Sequence, residues 1–425
     1  MTARRWFIDW SLASADPNVT GISRVAGELV RHFRPEAEHD GHSPHGVVVR
    51  ESRFHESQGG VVAPVSAFSL ARHLRSTARR IDEWLRDHAP AVDRLLTRAV
   101  MAAGGIPAFG QQKPVAGGPA IAFRQGDVLL LADATWMIPR WQPAVESAKA
   151  QGSRIVPLIH DLLPWSHSQF FAPLFCAQFT RWLHNMLPLA DAVICNSLAT
   201  AAALEQFASA EGLADALPPV GVFSPGSRPT VAVAAPRPEV AAIFADGVQP
   251  FLMVGTIEPR KNHGLVLDAF ERLWAAGGPT PLTVIGRRGW QCEATLRRFA
   301  SLAAAGKPFT HIGDATDADL QHAYRHARCL IFPSIAEGFG LPIVEALAQG
   351  LPVIASDIPV HREAGGDLVT YIPLGDPSHL ASVLKSIADG STVLKAPSTG
   401  KVHLLTWAES AAALRAELDR LFALR

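Results

Sequence analysis

The stretch that decides the fold is Cys329-Leu-Ile-Phe-Pro-Ser-Ile-Ala-Glu-Gly-Phe-Gly-Leu-Pro-Ile-Val-Glu-Ala-Leu-Ala-Gln-Gly-Leu-Pro-Val-Ile-Ala-Ser356. Residues 330–332 form a short apolar run that Pro333 ends, which predicts a buried parallel strand. Pro342 suits the first position of a helix, and Gly350 suits its end. Residues 351–355 predict the next strand. The stretch therefore predicts a β-α-β unit with a glycine-containing loop before its helix.

The loop 334–340 and the start of this helix predict a ligand site. Gly338 and Gly340 let the backbone approach a ligand, and the orphan amides of a helix N-terminus favour anions. We expect Glu337 in the loop and Glu345 in the first helical turn, at the strand ends where open α/β sheets bind ligands. Because two carboxylates repel phosphate but accept hydrogen bonds from hydroxyls, the pattern favours a nucleotide sugar. The structural alternative is a loop cap and a complement to the helix dipole.

The segment Glu337-Gly-Phe-Gly-Leu-Pro-Ile-Val-Glu345 resembles the Glu-x7-Glu motif of retaining glycosyltransferases with the GT-B fold, in the large family numbered four. The resemblance implies an α/β fold of two Rossmann-like domains whose parallel sheets face an interdomain cleft. It also implies that Glu345 holds the ribose of a nucleoside diphosphate sugar and that Glu337 holds the sugar hydroxyls. The diphosphate would bind the backbone of a four-residue loop: Gly338, Phe339, Gly340 and Leu341.

Composition sets wider limits. The 425 residues predict two domains of about 200 residues each. Lys plus Arg equals Asp plus Glu, at 39 each, so the charge does not favour a nucleic-acid partner. The N-terminus lacks the apolar run of a signal peptide, and the sequence contains no membrane-spanning apolar stretch. Four scattered cysteines predict buried, reduced thiols in a cytoplasmic protein: Cys176, Cys195, Cys292 and Cys329.

The N-terminal half begins with a predicted strand, 6–10, a polar loop, 11–21, and a helix, 22–33. Gly21 lies at the junction, where a missing side chain would let the backbone approach phosphate. It resembles the first loop of the same family, which closes over the donor diphosphate from the opposite domain. The alternative is a simple turn glycine.

Three later segments, 127–133, 154–161 and 192–197, predict buried strands that each end in polar residues. Strands that alternate with helices indicate a parallel sheet with its ligand edge on one side. His160 ends the second strand, and the surrounding sequence resembles the family, whose matching histidine touches the transferred sugar. A structural hydrogen-bonding role is the alternative for His160, and Asp161 is expected to orient the loop.

Residues 36–125 form an insertion that the resemblance does not cover. Residues 36–60 and 102–118 are interpreted as loops. Residues 68–101 predict two amphipathic, arginine-rich helices. We interpret them as solvated surface helices. The alternative is that they make a peripheral contact with anionic lipid head groups.

The C-terminal half starts a second sheet at 251–255 and continues to Arg260 and Lys261. Two fixed cations at a strand end can neutralise a diphosphate and the charge that develops on it as a sugar leaves; the alternative is a solvated basic pair. Glu258-Pro-Arg-Lys-Asn resembles the donor diphosphate site of the family. Many relatives carry an arginine nearer Thr256, so Arg260 either replaces that arginine or only supports Lys261.

Three further predictions concern the same half. By resemblance, the backbone of Ile312 and Gly313 would hold the nucleotide base. Asp317-Ala-Asp319 matches the letters of a metal-binding motif but starts a helix predicted at 320–326, so we interpret it as a cap and expect no metal. The expected domains are 1–235 and 236–405, joined by a linker at 231–240, with a helix at 406–425 that crosses back to the first domain.

Taken together, the resemblance implies transfer of a hexose to a hydroxyl with retention of configuration, without a cofactor. The expected catalytic residues are Arg260, Lys261, Glu337 and His160. GDP-mannose is the favoured donor, with UDP- or dTDP-sugars as alternatives. The expected acceptor is a lipid-linked or cell-surface glycan at the cytoplasmic face of a membrane. A noncatalytic sugar-binding protein and a pyridoxal-phosphate-dependent sugar phosphorylase are the other open classes.

Overall fold

A computed structural model describes residues 5–11, 21–33, 45–50, 52–57, 117–138, 140–227, 235–245, 247, 249–394 and 404–423. The chain divides into two compact units. Unit 1 comprises Met1–Ser224 together with Trp407–Arg425, and unit 2 comprises Pro225–Thr406. The predicted helices at 68–101 and the first part of the predicted linker, 231–234, lie outside the described residues.

Unit 1 is built on an eight-stranded sheet with the order β4-β3-β2-β1-β5-β6-β7-β8. Its strands are β1 (Trp6–Asp9), β2 (His45–Arg50), β3 (Arg53–Ser57), β4 (Gly117–Ala120), β5 (Val128–Leu131), β6 (Arg154–Ile159), β7 (Val193–Cys195) and β8 (Val220–Val222). β3 runs antiparallel to both β2 and β4, and the other neighbours are parallel. The prediction of a loop throughout 36–60 is therefore wrong for β2 and β3, and the prediction of a loop at 102–118 is wrong for 117–118, which begin β4. The sheet is also not purely parallel.

Among the described residues of unit 1, the helices that precede the second unit are α1 (Gly21–His32), α2 (Trp141–Ala150), α3 (Leu163–Ser166), α4 (Pro173–Met186) and α5 (Leu198–Ala210). Ser197 begins α5 as its N-cap, because its side chain accepts a hydrogen bond from the Thr200 amide. Buried strand residues such as Leu129 and Ile155 pack with Phe179 of α4 in one core. The predicted strands at 127–133, 154–161 and 192–197 are confirmed, each shorter by one or more residues.

Unit 2 has a six-stranded, entirely parallel sheet with the order β11-β10-β9-β12-β13-β14. Its strands are β9 (Phe251–Val254), β10 (Leu282–Ile285), β11 (Phe309–Ile312), β12 (Cys329–Phe332), β13 (Val353–Ser356) and β14 (Val369–Ile372). The chain leaves β9 towards β10 on one side, and β12 lies on the other side. This reversal is a topological switch point, where open α/β sheets leave a crevice at their carboxyl ends.

The helices of unit 2 are α6 (Pro238–Ile243), α7 (His263–Ala275), α8 (Glu293–Ala304), α9 (Asp317–His326), α10 (Leu341–Ala348), α11 (Pro359–Gly365) and α12 (Pro377–Ala388). α6 occupies the end of the predicted linker, so the linker prediction is wrong for 238–240. α9 begins at Asp317, three positions before the predicted start. Thr316 is its N-cap and Asp319 completes a capping box, which confirms the interpretation of Asp319 as a cap.

The last helix, α13 (Trp407–Ala423), packs against α1 and β8 in unit 1. Ser410 Oγ donates a hydrogen bond to the Ser224 carbonyl over 2.6 Å. Within the described part of the chain, no helix has the length and apolar character needed to cross a bilayer. The cysteines are free thiols; three are buried, whereas Cys176 is partly exposed, contrary to the prediction that all four are buried.

Candidate functional site

Two loops meet at the switch point of unit 2, one after β9 and one after β12. The first contains Gly255 and a 3-10 turn, Pro259–Lys261, and the second is residues 333–340. The Ile335 amide donates to the Arg260 carbonyl over 2.8 Å. Asn262 Nδ2 donates to the Pro333 carbonyl over 3.3 Å. These two hydrogen bonds hold the two loops side by side.

A network of four charged side chains joins these loops. Glu337 Oε2 lies 2.7 Å from Arg260 Nη1, and Glu337 Oε1 lies 2.5 Å from Lys261 Nζ. Arg260 Nη2 lies 2.7 Å from Glu258 Oε1. The structure thus brings together three of the residues predicted from the sequence, and it adds Glu258. Two cations and two carboxylates cancel in formal charge, so the cluster is neutral before a ligand arrives.

Burial makes this network strongly interacting. The exposed side-chain fractions are 15% for Arg260, 9% for Lys261, 8% for Glu337 and 1% for Glu258. Burial alone would raise the pKa of Glu337, but the nearby Arg260 and Lys261 cations outweigh it and hold that pKa well below its usual range. Burial lowers the pKa of Lys261, and the Glu337 carboxylate opposes that shift. Glu337 is therefore an anion clamped between two cations.

Glu345 lies in the second turn of α10, not the first, because the helix begins at Leu341 and Glu345 is its fifth residue. The prediction of a first-turn position is therefore wrong. Glu345 Oε2 accepts a hydrogen bond from Tyr324 Oη of α9 over 3.0 Å. The sequence analysis missed Tyr324, since nothing in its local sequence indicates that α9 and α10 are neighbours.

The glycine loop has the backbone geometry expected of a close-approach site. Gly340 has φ 95° and stands at the N-cap of α10, where it offers no side chain to cap the helix. Gly338 is buried, and the Phe339 side chain is only 6% exposed. Phe339 could therefore contribute backbone atoms but not its ring. Leu341 is the first residue of α10.

Ile312 and Gly313 lie at the carboxyl end of β11, two strands from β9. The Ile312 side chain is buried in a core with Val254 and Ile285, and its carbonyl accepts a hydrogen bond from the Gly286 amide over 3.0 Å. Only backbone atoms at this position could reach a ligand. Their contact with a base stays a prediction.

His160 of unit 1 lies at the end of β6 and is 4% exposed. Its Nε2 lies 2.8 Å from the Ala132 carbonyl. Because a carbonyl only accepts, Nε2 carries the proton, and burial lowers the pKa of His160 to about 4. The neutral ring therefore presents Nδ1 as an acceptor. Asp161 Oδ1 accepts from the Leu163 amide over 3.0 Å, as expected of a residue that orients the loop.

Unit 1 also contains residues that the sequence analysis missed. The missed residues are Asp9 and Asp133, which are buried at the ends of the adjacent strands β1 and β5. Gly21, which was predicted, is exposed at the start of α1. Burial, reinforced by the Asp133 charge, raises the pKa of Asp9 to about 7. An acid at or next to the end of each predicted strand, 6–10 and 127–133, was the signal that could have identified the pair.

Comparison with known proteins supports the geometry of unit 2. Residues 243–395 match the family model described as glycosyl transferases group 1. The matched residues lie within unit 2 and include both loops of the site. This confirms the resemblance predicted from the Glu337–Glu345 segment.

Proteins similar in sequence to this chain include the serotype-specific mannosyltransferase WbdA of Escherichia coli, 30% identical over 311 residues, which cover 71% of this chain and 37% of WbdA. O-antigen chain mannosyltransferase B of Escherichia coli is 34% identical over 142 residues, which cover 33% of this chain and 37% of that relative. The chain thus spans just over a third of the length of these relatives.

Among solved structures, sucrose-phosphate synthase from Thermosynechococcus elongatus superposes with a TM-score of 0.56 and 17% identity, covering 99% of this chain and 100% of that one. At this identity the similarity concerns the fold alone. It confirms the predicted GT-B fold class.

Proposed function

We propose that this chain is a retaining glycosyltransferase that moves a hexose from a nucleoside diphosphate sugar to a hydroxyl. The observation that carries the proposal is the Arg260–Glu337–Lys261 cluster, buried at the switch point of a glycosyl transferases group 1 domain. A diphosphate needs fixed cations and helix amides, and this crevice offers both.

The two cations have different roles in this proposal. Arg260 Nη1 donates to Glu337 and to the Ala336 carbonyl, and Nη2 contacts Glu258, so Arg260 holds the loop after β12 in place. Lys261 Nζ has three donor protons, and the Glu337 contact uses one of them. Lys261 is therefore the cation that contacts the diphosphate and stabilises its charge as the sugar leaves.

In the proposed step, the bond from the anomeric carbon to the diphosphate oxygen breaks while the acceptor oxygen bonds to the same face of that carbon. The acceptor's proton passes to the leaving phosphate. The amides of Gly338 to Leu341 bind the diphosphate, Glu345 accepts hydrogen bonds from the ribose, and Glu337 accepts them from the sugar. A carboxylate oxygen has two lone pairs, so it can accept a hydrogen bond from a sugar hydroxyl in addition to its contact with a cation. The roles of Gly21 and His160 stay predictions.

GDP-mannose is the proposed donor, supported by the mannosyltransferase names of both relatives. The acceptor would be a cell-surface glycan, free or lipid-linked, reached at the cytoplasmic face of a membrane. Metal independence is proposed because Asp319 is already engaged. Its carboxylate accepts hydrogen bonds from the Thr316 amide over 2.9 Å and from Arg237 Nε over 2.8 Å.

The test is incubation with GDP-mannose, UDP-glucose and dTDP-rhamnose, with measurement of the nucleotide released and of the anomeric configuration of the product. We expect release from GDP-mannose, retention of configuration and full activity in excess EDTA. Release from only a UDP- or dTDP-sugar would reject the donor but keep the reaction class. Binding of a nucleotide sugar without any turnover would favour a noncatalytic sugar-binding protein.

A further inference from the structure

A buried tyrosine contacts the carboxylate that the proposed function assigns to the ribose. Tyr324 is 3% exposed, and its ring packs in a core with Phe332, Ile343 and Leu347. From this fixed position its Oη donates a hydrogen bond to Glu345 Oε2 over 3.0 Å. The two side chains project from neighbouring helices, α9 and α10.

This bond restricts a side chain that would otherwise have several rotamers. A glutamate has three rotatable side-chain bonds, and ordering them on ligand binding costs affinity. A hydroxyl that donates to a carboxylate forms a charge-assisted bond, which is stronger than a neutral one. The Tyr324 ring cannot move without disturbing the core around it, so the bond fixes Glu345 before a ligand arrives.

We infer that Tyr324 is a positioning residue for ribose recognition. It orients the Glu345 carboxylate to accept hydrogen bonds from the 2′- and 3′-hydroxyls of a nucleoside diphosphate. Tyr324 itself does not touch the ligand. The inference rests on the proposed function, because that function assigns the ribose to Glu345.

Tyr324→Phe tests this role with the loss of one oxygen atom, since the ring and its packing are kept. The chain has two tyrosines, and Tyr371 supplies a matched control in the same unit. Tyr371 Oη lies 3.1 Å from the His361 carbonyl oxygen and 2.9 Å from the Gly366 carbonyl oxygen, and its one proton can be donated to either. Tyr371→Phe therefore removes a comparable hydroxyl whose hydrogen-bond partners are backbone carbonyls.

The experiment measures calorimetric affinities of GDP and 2′,3′-dideoxy-GDP, with UDP and 2′,3′-dideoxy-UDP in parallel. Four proteins are compared: the wild type, Tyr324→Phe, Tyr371→Phe and Glu345→Ala. We expect the wild type to prefer the ribose form and Glu345→Ala to lose that preference. Tyr324→Phe should reduce the preference by about three- to tenfold, the order of one typical hydrogen bond, and leave the dideoxy affinity unchanged. Tyr371→Phe should match the wild type.

The contrary outcomes separate the two claims. If Glu345→Ala loses the preference and Tyr324→Phe keeps it, the inference is overturned and the proposed function stands. If Tyr324→Phe weakens both forms equally, the tyrosine is merely structural and the inference is again overturned. A Glu345→Ala protein that keeps its preference overturns the ribose assignment and the inference with it. A wild type that binds neither diphosphate overturns the proposed function.

Discussion

Lys261 is the residue on which the proposed chemistry depends most. Its Nζ lies 2.5 Å from Glu337, and the residue is 7% exposed. Lys261→Ala should lower turnover by about a hundredfold, the order seen when one preorganised electrostatic group is lost. The measurement is the rate of nucleotide release under saturating donor. Lys385→Ala is the matched control, since that lysine is 65% exposed and paired with Asp389 on α12. Near-normal turnover in folded Lys261→Ala protein would contradict the role of this loop.

Asp9 gives a prediction about pH. Burial first, and then the Asp133 charge, raise its pKa to about 7. The folded chain therefore keeps a proton that the unfolded chain releases near pH 4, so this contribution to stability is complete below about pH 4 and is lost as the pH rises through about 7. Asp9→Asn removes this pH dependence of stability, because the side-chain amide does not titrate. The Ser11 amide, which donates a hydrogen bond to Asp9 Oδ1, can still donate to the amide oxygen of the variant.

We therefore expect the melting temperature of Asp9→Asn, relative to the wild type, to increase between about pH 5 and about pH 8. Thermal unfolding of both proteins at the two pH values measures it. Parallel pH profiles would show that Asp9 is ionised in the folded protein at both values.

Individual residues show how far the sequence could predict the site. Arg260, Lys261 and Glu337 were predicted together because their motifs follow strands that end at one sheet edge, and the structure joins them. Glu345 was predicted in the first turn rather than the second, because the helix begins one residue before the predicted Pro342 and capping signals locate a helix start only to within a residue or two. Tyr324 could not be found, because its contact depends on the packing of α9 beside α10.

At the scale of elements, β9 and β10 depend on a close backbone approach at their carboxyl ends. A Cβ on Gly286 would lie 1.8 Å from the Gly255 carbonyl oxygen. The backbone cannot easily yield, because the Gly255 amide donates to Ile285 over 3.0 Å and the Ile257 amide donates to Arg287 over 2.8 Å. Gly286→Ala should destabilise unit 2 by about 1–3 kcal/mol or more, the cost of forced overpacking.

Thermal unfolding measures this effect, and Gly264→Ala on α7 is the matched control. A Cβ on Gly264 meets no atom within 4 Å. That variant should be neutral or more stable by about 0.5–1 kcal/mol, because alanine loses less backbone entropy in a helix than glycine. Equal stability of the two alanine variants would show that the strand ends separate without cost.

Some elements can be predicted from their own sequence pattern, whereas others cannot. Strands β9, β12 and β13 of unit 2 were predicted because buried parallel strands are continuous apolar runs. β2 and β3 were missed, since polar residues surround their short apolar cores and only pairing with β1 and β4 makes them strands. α6 was missed because its six residues are too few for a helical period.

At the scale of the whole molecule, the chain ends in the unit where it began. α13 packs on α1 and β8, and its Leu414 and Leu418 are fully buried. Residues distant in sequence therefore complete the core of unit 1, whereas unit 2 is one continuous segment. Sequence periodicity predicts the helix α13 but does not indicate which elements it packs against. Only the family resemblance indicated that this helix packs on the first domain.

This organisation predicts that a cavity in the core of one unit destabilises that unit and leaves the stability of the other unit unchanged. Leu418→Ala on α13 and Leu384→Ala on α12 each remove a fully buried leucine, one from each unit. Each should cost about 2–5 kcal/mol through lost burial and the cavity left behind. Stability differs between cooperative parts of a protein, and amide hydrogen exchange reports it locally.

Hydrogen exchange followed by mass spectrometry should therefore show lost protection in α1 and β8 for Leu418→Ala, with α7 and β9 unchanged. Leu384→Ala should show the converse, because α12 packs on α7 and Leu384 shares a core with Leu267 and Phe270. Each variant is the control for the other, because the same substitution is made at an equally buried position in each unit. Loss of protection across both units in either variant would contradict this prediction. It would show that the two units unfold as one cooperative block even though their cores are separate.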